Sequence, residues 1–408
     1  MTADRRVVIV GGGIGGWTVA STLRSQGFDG GLVLIEREAA CYDRPPLSKV
    51  ALIDGSPLSA LAFADAATIA DLRLDLRLGR TAIRLDAEAR SVVLDDGEVL
   101  HGDAVVLATG ANARVPPFPG ADLPGVLTLR TYADVVALRA FAARSVAVIG
   151  AGLIGAEAAA ALRALGSEVV LIDPNEVPGS RIFGSTMAKY LHAMHAENGV
   201  DVRADTIAGV APVAPAGPDG GRLRVTLGGG DSIDVDGVLV GTGITIDTTL
   251  AAGAGLDVDG AILVDEDGRT STPGVFAVGD ATRARFPVDA PANPRGHWEA
   301  AQQDGRAVAA AILGRSREPR GAEWFWSDRY GHHVEVVGDV VVRGREVVRS
   351  GAHPTVFRID GGLLVGASSV DDPNAVRAAR RLIDRAVSVS IAQLTDPHVP
   401  LRSLLAGA

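Results

Sequence analysis

Twice along the chain a short aliphatic run breaks into a glycine cluster, continues as a helical pattern, and returns to a second aliphatic run that ends in an acid. The first instance is Val7-Val8-Ile9-Val10, then Gly11-Gly12-Gly13-Ile14-Gly15-Gly16, a helical stretch from Trp17 to about Gln26, and Leu32-Val33-Leu34-Ile35 before Glu36. The second is Val146-Ala147-Val148-Ile149, then Gly150-Ala151-Gly152-Leu153-Ile154-Gly155, an alanine-rich helix, and Glu168-Val169-Val170-Leu171-Ile172 before Asp173. A chain with this pattern is constrained to form parallel βαβ units. The first glycine serves the tight turn, the second backbone approach to a pyrophosphate, and the third helix-to-strand packing, while the acid about 20 residues on meets ribose hydroxyls. Two such units imply two dinucleotides. After Asp173, Pro174-Asn175-Glu176 bring no arginine for a 2′-phosphate, so NADH is favoured over NADPH, with Arg181 the next cation along.

At 408 residues the chain is long enough for two to three domains. Its formal charge of −10 excludes the basic face expected of a nucleic-acid binder. No run reaches the roughly 18 apolar residues of a membrane span, and the start lacks a signal peptide's apolar stretch, so no membrane association and a cytoplasmic location are expected. Cys41 is the only cysteine, which rules out a disulfide within the chain, and no metal site is expected.

Between the fingerprints lies Arg44-Pro45-Pro46-Leu47-Ser48-Lys49, which holds one of the chain's two lysines (Lys49 and Lys189). Where arginine supplies nearly all other positive charge, a lysine here points to a need for a compact ammonium. Strand-like segments around Ala82 and Val92 lead to a buried run ending in Ala108-Thr109-Gly110, whose small residues permit close backbone approach to a ligand. A proline-rich linker follows at 115–120. Another strand ends in a small-residue turn at Gly241 to Gly243, and the stretch from Arg269 ends in Gly279-Asp280, where a carboxylate can accept hydrogen bonds from hydroxyls. A helix is expected over 297–312, beginning at His297-Trp298-Glu299, with its positive end available to an electron-rich ring. From about 319 the composition shifts to valine hairpins and a closing helical pattern with no nucleotide motif, as in an α+β domain.

In this order, these motifs, together with Phe325-Trp326-Ser327-Asp328, make the chain resemble the flavin-dependent NADH:ferredoxin reductases of oxygenase systems, within the glutathione-reductase-like class. The resemblance implies an α/β fold of two Rossmann-like dinucleotide-binding domains plus a C-terminal α+β domain. FAD would be bound by residues 1–113 and 242–318, NAD by an insert at 114–241, and 319–408 would form the last domain. It also implies FAD contacts from Gly11, Gly13, Ile14, Gly15, Gly16, Glu36, Arg44, Lys49, Ala108, Thr109, Gly110, Arg130, Gly279 and Asp280. NADH contacts would come from Gly150, Gly152, Leu153, Ile154, Gly155 and Asp173, and Arg37, Ala82, Arg181 and Gly243 would be further cofactor-binding residues. Lys49 and Glu157 would form the charge pair beside the flavin, and Trp298 would cover the flavin or nicotinamide. The implied partner is a [2Fe-2S] ferredoxin serving a P450 or ring-hydroxylating oxygenase, with the reductase a monomer or homodimer.

Two other readings share the fold: an oxidase, peroxidase or CoA-disulfide reductase working through Cys41, and a redox-signalling flavoprotein like apoptosis-inducing factor. Cys41 falls too early after Glu36 for the thiol of the former class and reads as buried and inert. Residues 281–350 contain eleven Arg against nine Asp plus Glu, so a locally basic patch including Arg283, Arg285 and Arg315 is expected to steer an acidic ferredoxin.

Overall fold

The computed structural model describes residues 5–213, 221–285, 296–341 and 344–407. The chain divides into two compact units, one of Met1–Arg44, Pro57–Asn112 and Ile244–Arg320, the other of Pro45–Ser56, Ala113–Gly243 and Gly321–Ala408.

In the first unit five parallel strands run in the order Val275–Ala277, Ala104–Leu107, Arg6–Val10, Gly31–Glu36, Leu74–Leu78. A parallel sheet is covered on both faces, so its strands read as unbroken aliphatic runs. Val7, Val8 and Ile9 are fully buried, with Val7 and Ile9 in one core cluster and Val8 in the cluster on the other face. The crossover helix Ile14–Ser25 places Val19 and Leu23 in the same cluster as Val308 and Ile312 of the helix Trp298–Ile312. The expected segments around Ala82 and Val92 pair with each other, and the second also with Val99–His101, in a small antiparallel sheet.

The second unit repeats the first plan. Its parallel sheet has the order Asp201–Ala204, Glu168–Asp173, Ser145–Ile149, Gly237–Val240, Val126–Leu127, and the helix Leu153–Ala164 makes the crossover from Ser145–Ile149 to Glu168–Asp173. The C-terminal residues form an antiparallel sheet in the order Trp324–Arg329, His332–Gly338, Leu363–Val370, Thr355–Asp360, Arg345–Arg349. The helix Pro373–Asp384 backs it, capped by the Asp372 carboxylate, which accepts from Ala375 N–H, and carrying Pro at its start. Its Val376, Ala379 and Leu382 fall at helical spacing into the core while its arginines face away. A further cluster joins Phe183, Met187 and Leu191 of the nucleotide-fold part to Phe325, Val334 and Val356 of the terminal sheet. Among the described residues no helix is long and apolar enough to cross a membrane.

Candidate active site

The two glycine loops have the same physical design. Gly13 and Gly152 are the N-caps of Ile14–Ser25 and Leu153–Ala164, and neither helix has a side-chain cap or an acid in its first turn. The first-turn amides therefore keep free donor capacity at the positive end of the helix dipole. A Cβ at Gly13 or Gly152 would meet no protein atom within 4 Å, whereas one at Gly16 would overlap the Gly11 carbonyl and one at Gly155 the Gly150 carbonyl. Space is thus kept where a pyrophosphate approaches and removed where helix meets strand.

Each loop is closed by its acid. Gly12 N–H donates to Glu36 Oε2 at 2.7 Å and Glu38 N–H to Glu36 Oε1 at 3.0 Å, so a nearly buried carboxylate is fixed under the first loop. In the second, Ala151 N–H donates to Asp173 Oδ2 at 2.8 Å, and the backbone and side-chain amides of Asn175 donate to Oδ1. These donor sets, with open helix starts and fixed acids, fit two dinucleotides.

Other residues singled out in the sequence fall around these loops. Ala108, Thr109 and Gly110 follow the strand Ala104–Leu107, and Ala108 N–H donates to Val10 O at 2.7 Å, bringing this turn beside Gly11. Arg37 donates to Asn112 Oδ1, and Arg44 is bound to Glu38 at 2.9 Å. Ala82 opens its strand two residues after Arg80, whose N–H donates to Glu36 O. Gly279 and Asp280 begin a 3-10 turn, and the indole N–H of Trp298 donates to Asp43 Oδ1 at 2.7 Å, fixing that ring at its helix start. Arg130, Arg181 and Gly243 belong to the second unit: Arg130 precedes the capped helix Tyr132–Arg139, Arg181 is exposed on the short helix Ser180–Phe183, and Gly243 lies after the strand Gly237–Val240.

Lys49 and Glu157 do meet. Lys49 Nζ lies 2.9 Å from Glu157 Oε2, on the second turn of Leu153–Ala164, and the Glu157 side chain is fully buried. Two hydroxyls complete the acid's shell: Ser48 Oγ donates to Oε2 at 2.5 Å and Ser327 Oγ to Oε1 at 2.7 Å. Arg329 in turn donates to Ser327 Oγ at 3.1 Å. Burial lowers the Arg329 guanidinium from its ordinary range, and the Glu157 charge opposes that shift. Lys49 also lies 3.4 Å from Pro45 O and 3.9 Å from Asp328 Oδ2, with the Trp326 ring 5.7 Å away. Ser48, Trp326, Ser327, Asp328 and Arg329 were not assigned roles from the sequence. The signal lay in the alternation of Trp324–Arg329, where Phe325, Ser327 and Arg329 share the buried face.

The family profile described as pyridine nucleotide-disulphide oxidoreductase matches residues 5–305, and that described as reductase C-terminal matches 324–405. The chain belongs to the pyridine nucleotide-disulphide oxidoreductases. It is 36% identical over 406 residues to rhodocoxin reductase of Rhodococcus erythropolis, covering 98% of this chain and 94% of that protein. It is likewise 36% identical over 408 residues to the ferredoxin reductase component of chlorobenzene dioxygenase from Cupriavidus sp. strain PS12, covering 98% and 97%. The solved covalent putidaredoxin reductase–putidaredoxin complex matches with a TM-score of 0.93 and 28% identity, covering all of this chain and 99% of the other.

For a member of this family, the thiol chemistry is informative. Cys41 is buried, and a Cβ at Gly12 would overlap its sulfur. Burial, reinforced by Glu36, pushes the thiol up to about 12. A thiolate is the reactive form, so this oxidoreductase has no activated sulfur in Cys41. The expected basic patch is also altered by pairing. Arg283 is paired with Asp259 and Arg285 lies 3.8 Å from Asp257, while Arg315 donates to Gln26. Arg295 and Arg343, counted in the same stretch, lie outside the described residues.

Proposed function

We propose that the chain is an FAD-containing, NADH-dependent ferredoxin reductase that passes electrons to a [2Fe-2S] ferredoxin serving a P450 or ring-hydroxylating oxygenase. The observation that carries this reading is the pairing of two uncapped nucleotide loops with a buried Lys49–Glu157 pair, in a chain whose one thiol is inert. The relatives' names, rhodocoxin reductase and a dioxygenase ferredoxin reductase component, support the same acceptor class.

FAD, when bound, supplies the conversion of a two-electron hydride into single electrons. The chain supplies position and charge. Free amides at the start of Ile14–Ser25 hold the FAD pyrophosphate, and Glu36, fixed by Gly12 and Glu38, accepts from ribose hydroxyls. Leu153–Ala164 and Asp173 do the same for NADH. With Pro174-Asn175-Glu176 beside Asp173, the pocket offers a carboxylate and no guanidinium in the positions next to it, which favours a 2′-hydroxyl over a 2′-phosphate. Glu157 lies on the helix that starts at the NADH loop, so the pair places the Lys49 ammonium at a set position relative to that nucleotide. A compensated buried pair held by two hydroxyls orients the nicotinamide.

The test is anaerobic stopped-flow mixing of the yellow protein with NADH or NADPH, followed by a [2Fe-2S] ferredoxin. Fast bleaching by NADH and rapid ferredoxin reduction are expected. Bleaching followed by reoxidation only with oxygen, peroxide or CoA disulfide would overturn the acceptor, and equal rates with NADPH would overturn the nucleotide preference.

A further inference from the structure

At one end of the C-terminal sheet three donors converge that the proposed electron transfer does not use. His332 opens the strand His332–Gly338, Asp371 directly follows its antiparallel neighbour Leu363–Val370, and His353 lies in the connection between Arg345–Arg349 and Thr355–Asp360. His332 Nδ1 is 2.7 Å and His353 Nε2 3.5 Å from the same oxygen, Asp371 Oδ2. One donor atom from each of the three residues falls within 4.8 Å of the others.

We propose that His332, His353 and Asp371 form a binding site for a borderline divalent cation of the Zn²⁺ type, with solvent completing its coordination. Tetrahedral zinc with bonds of about 2.0–2.2 Å places its ligand atoms roughly 3.3–3.6 Å apart, so small side-chain shifts bring these donors to the required spacing. The donor set, two imidazoles and one carboxylate, suits zinc and is wrong for magnesium or calcium, which take oxygen shells. Two of the three ligands are already held from behind, as metal ligands commonly are. His333 N–H donates to Asp371 Oδ1 at 2.7 Å, leaving Oδ2 to face the imidazoles. Tyr190 Oη is 2.7 Å from His353 Nδ1, which leaves Nε2 as the inward nitrogen. Among the described residues the ion pairs of Asp371 are with these two imidazoles alone, so no arginine or lysine competes for the carboxylate. Its side chain is 37% exposed, which leaves a route for the ion and room for water. On binding, the ion takes the place of the His332 Nδ1–Asp371 Oδ2 hydrogen bond, the imidazole ligating through Nδ1 with its ring proton on Nε2. Tyr190 lies on the helix Ser185–Glu197, so the site also tethers the terminal sheet to the nucleotide-fold part of the same unit.

Isothermal titration of the flavin-loaded, untagged protein with Zn²⁺ tests this, with Co²⁺ absorption as a geometric probe. One equivalent of saturable binding and a tetrahedral Co²⁺ spectrum are expected in the parent protein. His353→Gln and Asp371→Asn should each abolish both signals, and Tyr190→Phe should weaken Zn²⁺ by about tenfold, the lower end of effects on residues that orient ligands. Flavin content and NADH-driven bleaching, unchanged in all three variants, report that they are folded. Absence of stoichiometric binding in the parent protein, or its persistence in the folded Asp371→Asn variant, would overturn the site.

Discussion

A carboxylate with no solvent exposure needs partners that replace water, and Glu157 has them in Lys49, Ser48 and Ser327. Removing one member of a buried pair leaves the other charge uncompensated and costs about 3–5 kcal/mol. Glu157→Ala is therefore expected to lower the urea midpoint clearly. The milder Glu157→Gln, which keeps hydrogen-bonding capacity but frees the Lys49 ammonium from its charge partner, should slow anaerobic bleaching by NADH on the order of 10–100-fold through loss of position. Cys41 gives the opposite expectation. Its raised thiol should resist alkylation at pH 8 until the protein is denatured, and Cys41→Ser should bleach with NADH at the parent rate. Labelling of the native protein, or a dead Cys41→Ser variant that retains its flavin, would restore the thiol-based reading.

The glycine loops, as elements, separate the two nucleotides experimentally. A methyl at Gly16 would overlap the Gly11 carbonyl, and one at Gly155 the Gly150 carbonyl. Gly16→Ala should purify with little flavin, measured by its visible absorbance, while Gly155→Ala should stay yellow but bleach slowly with NADH. Loss of flavin from both variants alike would show that the loops do not act separately. These loops were legible because each is local: strand, turn, helix and acid lie within about 30 residues, and every step has its own residue preference. The shell of Glu157 was not. Ser327 reaches it across 170 residues from a strand whose alternation marks a buried face but says nothing of what that face meets. The Trp298–Asp43 bond and the neutralising partners of Arg283 and Arg285 were hidden in the same way, because a charge count along the chain does not say which carboxylates fold back onto it.

For the whole molecule, acid sensitivity has a defined contributor in the second unit. His195 is fully buried, its Nδ1 2.7 Å from Tyr330 Oη, and burial, with Arg329 and His192, pushes it down to about 3 from 6.5. Between those values the unfolded chain binds a proton that the folded one does not, so stability rises with pH there. The contribution is complete above about pH 6.5 and is lost as pH falls toward 3, by at most about 1.4 kcal/mol per pH unit. The urea midpoint of His195→Leu should accordingly fall less between pH 7 and 5 than that of the parent, and parallel slopes would assign the acid sensitivity elsewhere.

Pro45–Ser56 stands apart in sequence from the rest of the unit to which it is packed. Lys49 therefore finds Glu157 only after more than a hundred further residues have been made, and an N-terminal fragment that stops before residue 157 cannot contain the pair. The same arrangement sets the rule for recombination between relatives. A chimera that exchanges residues 113–243 and 321–408 but leaves 45–56 behind joins the lysine and the Ser48 hydroxyl of one parent to the acid and the Ser327 hydroxyl of another, and a functional graft has to move all three segments together.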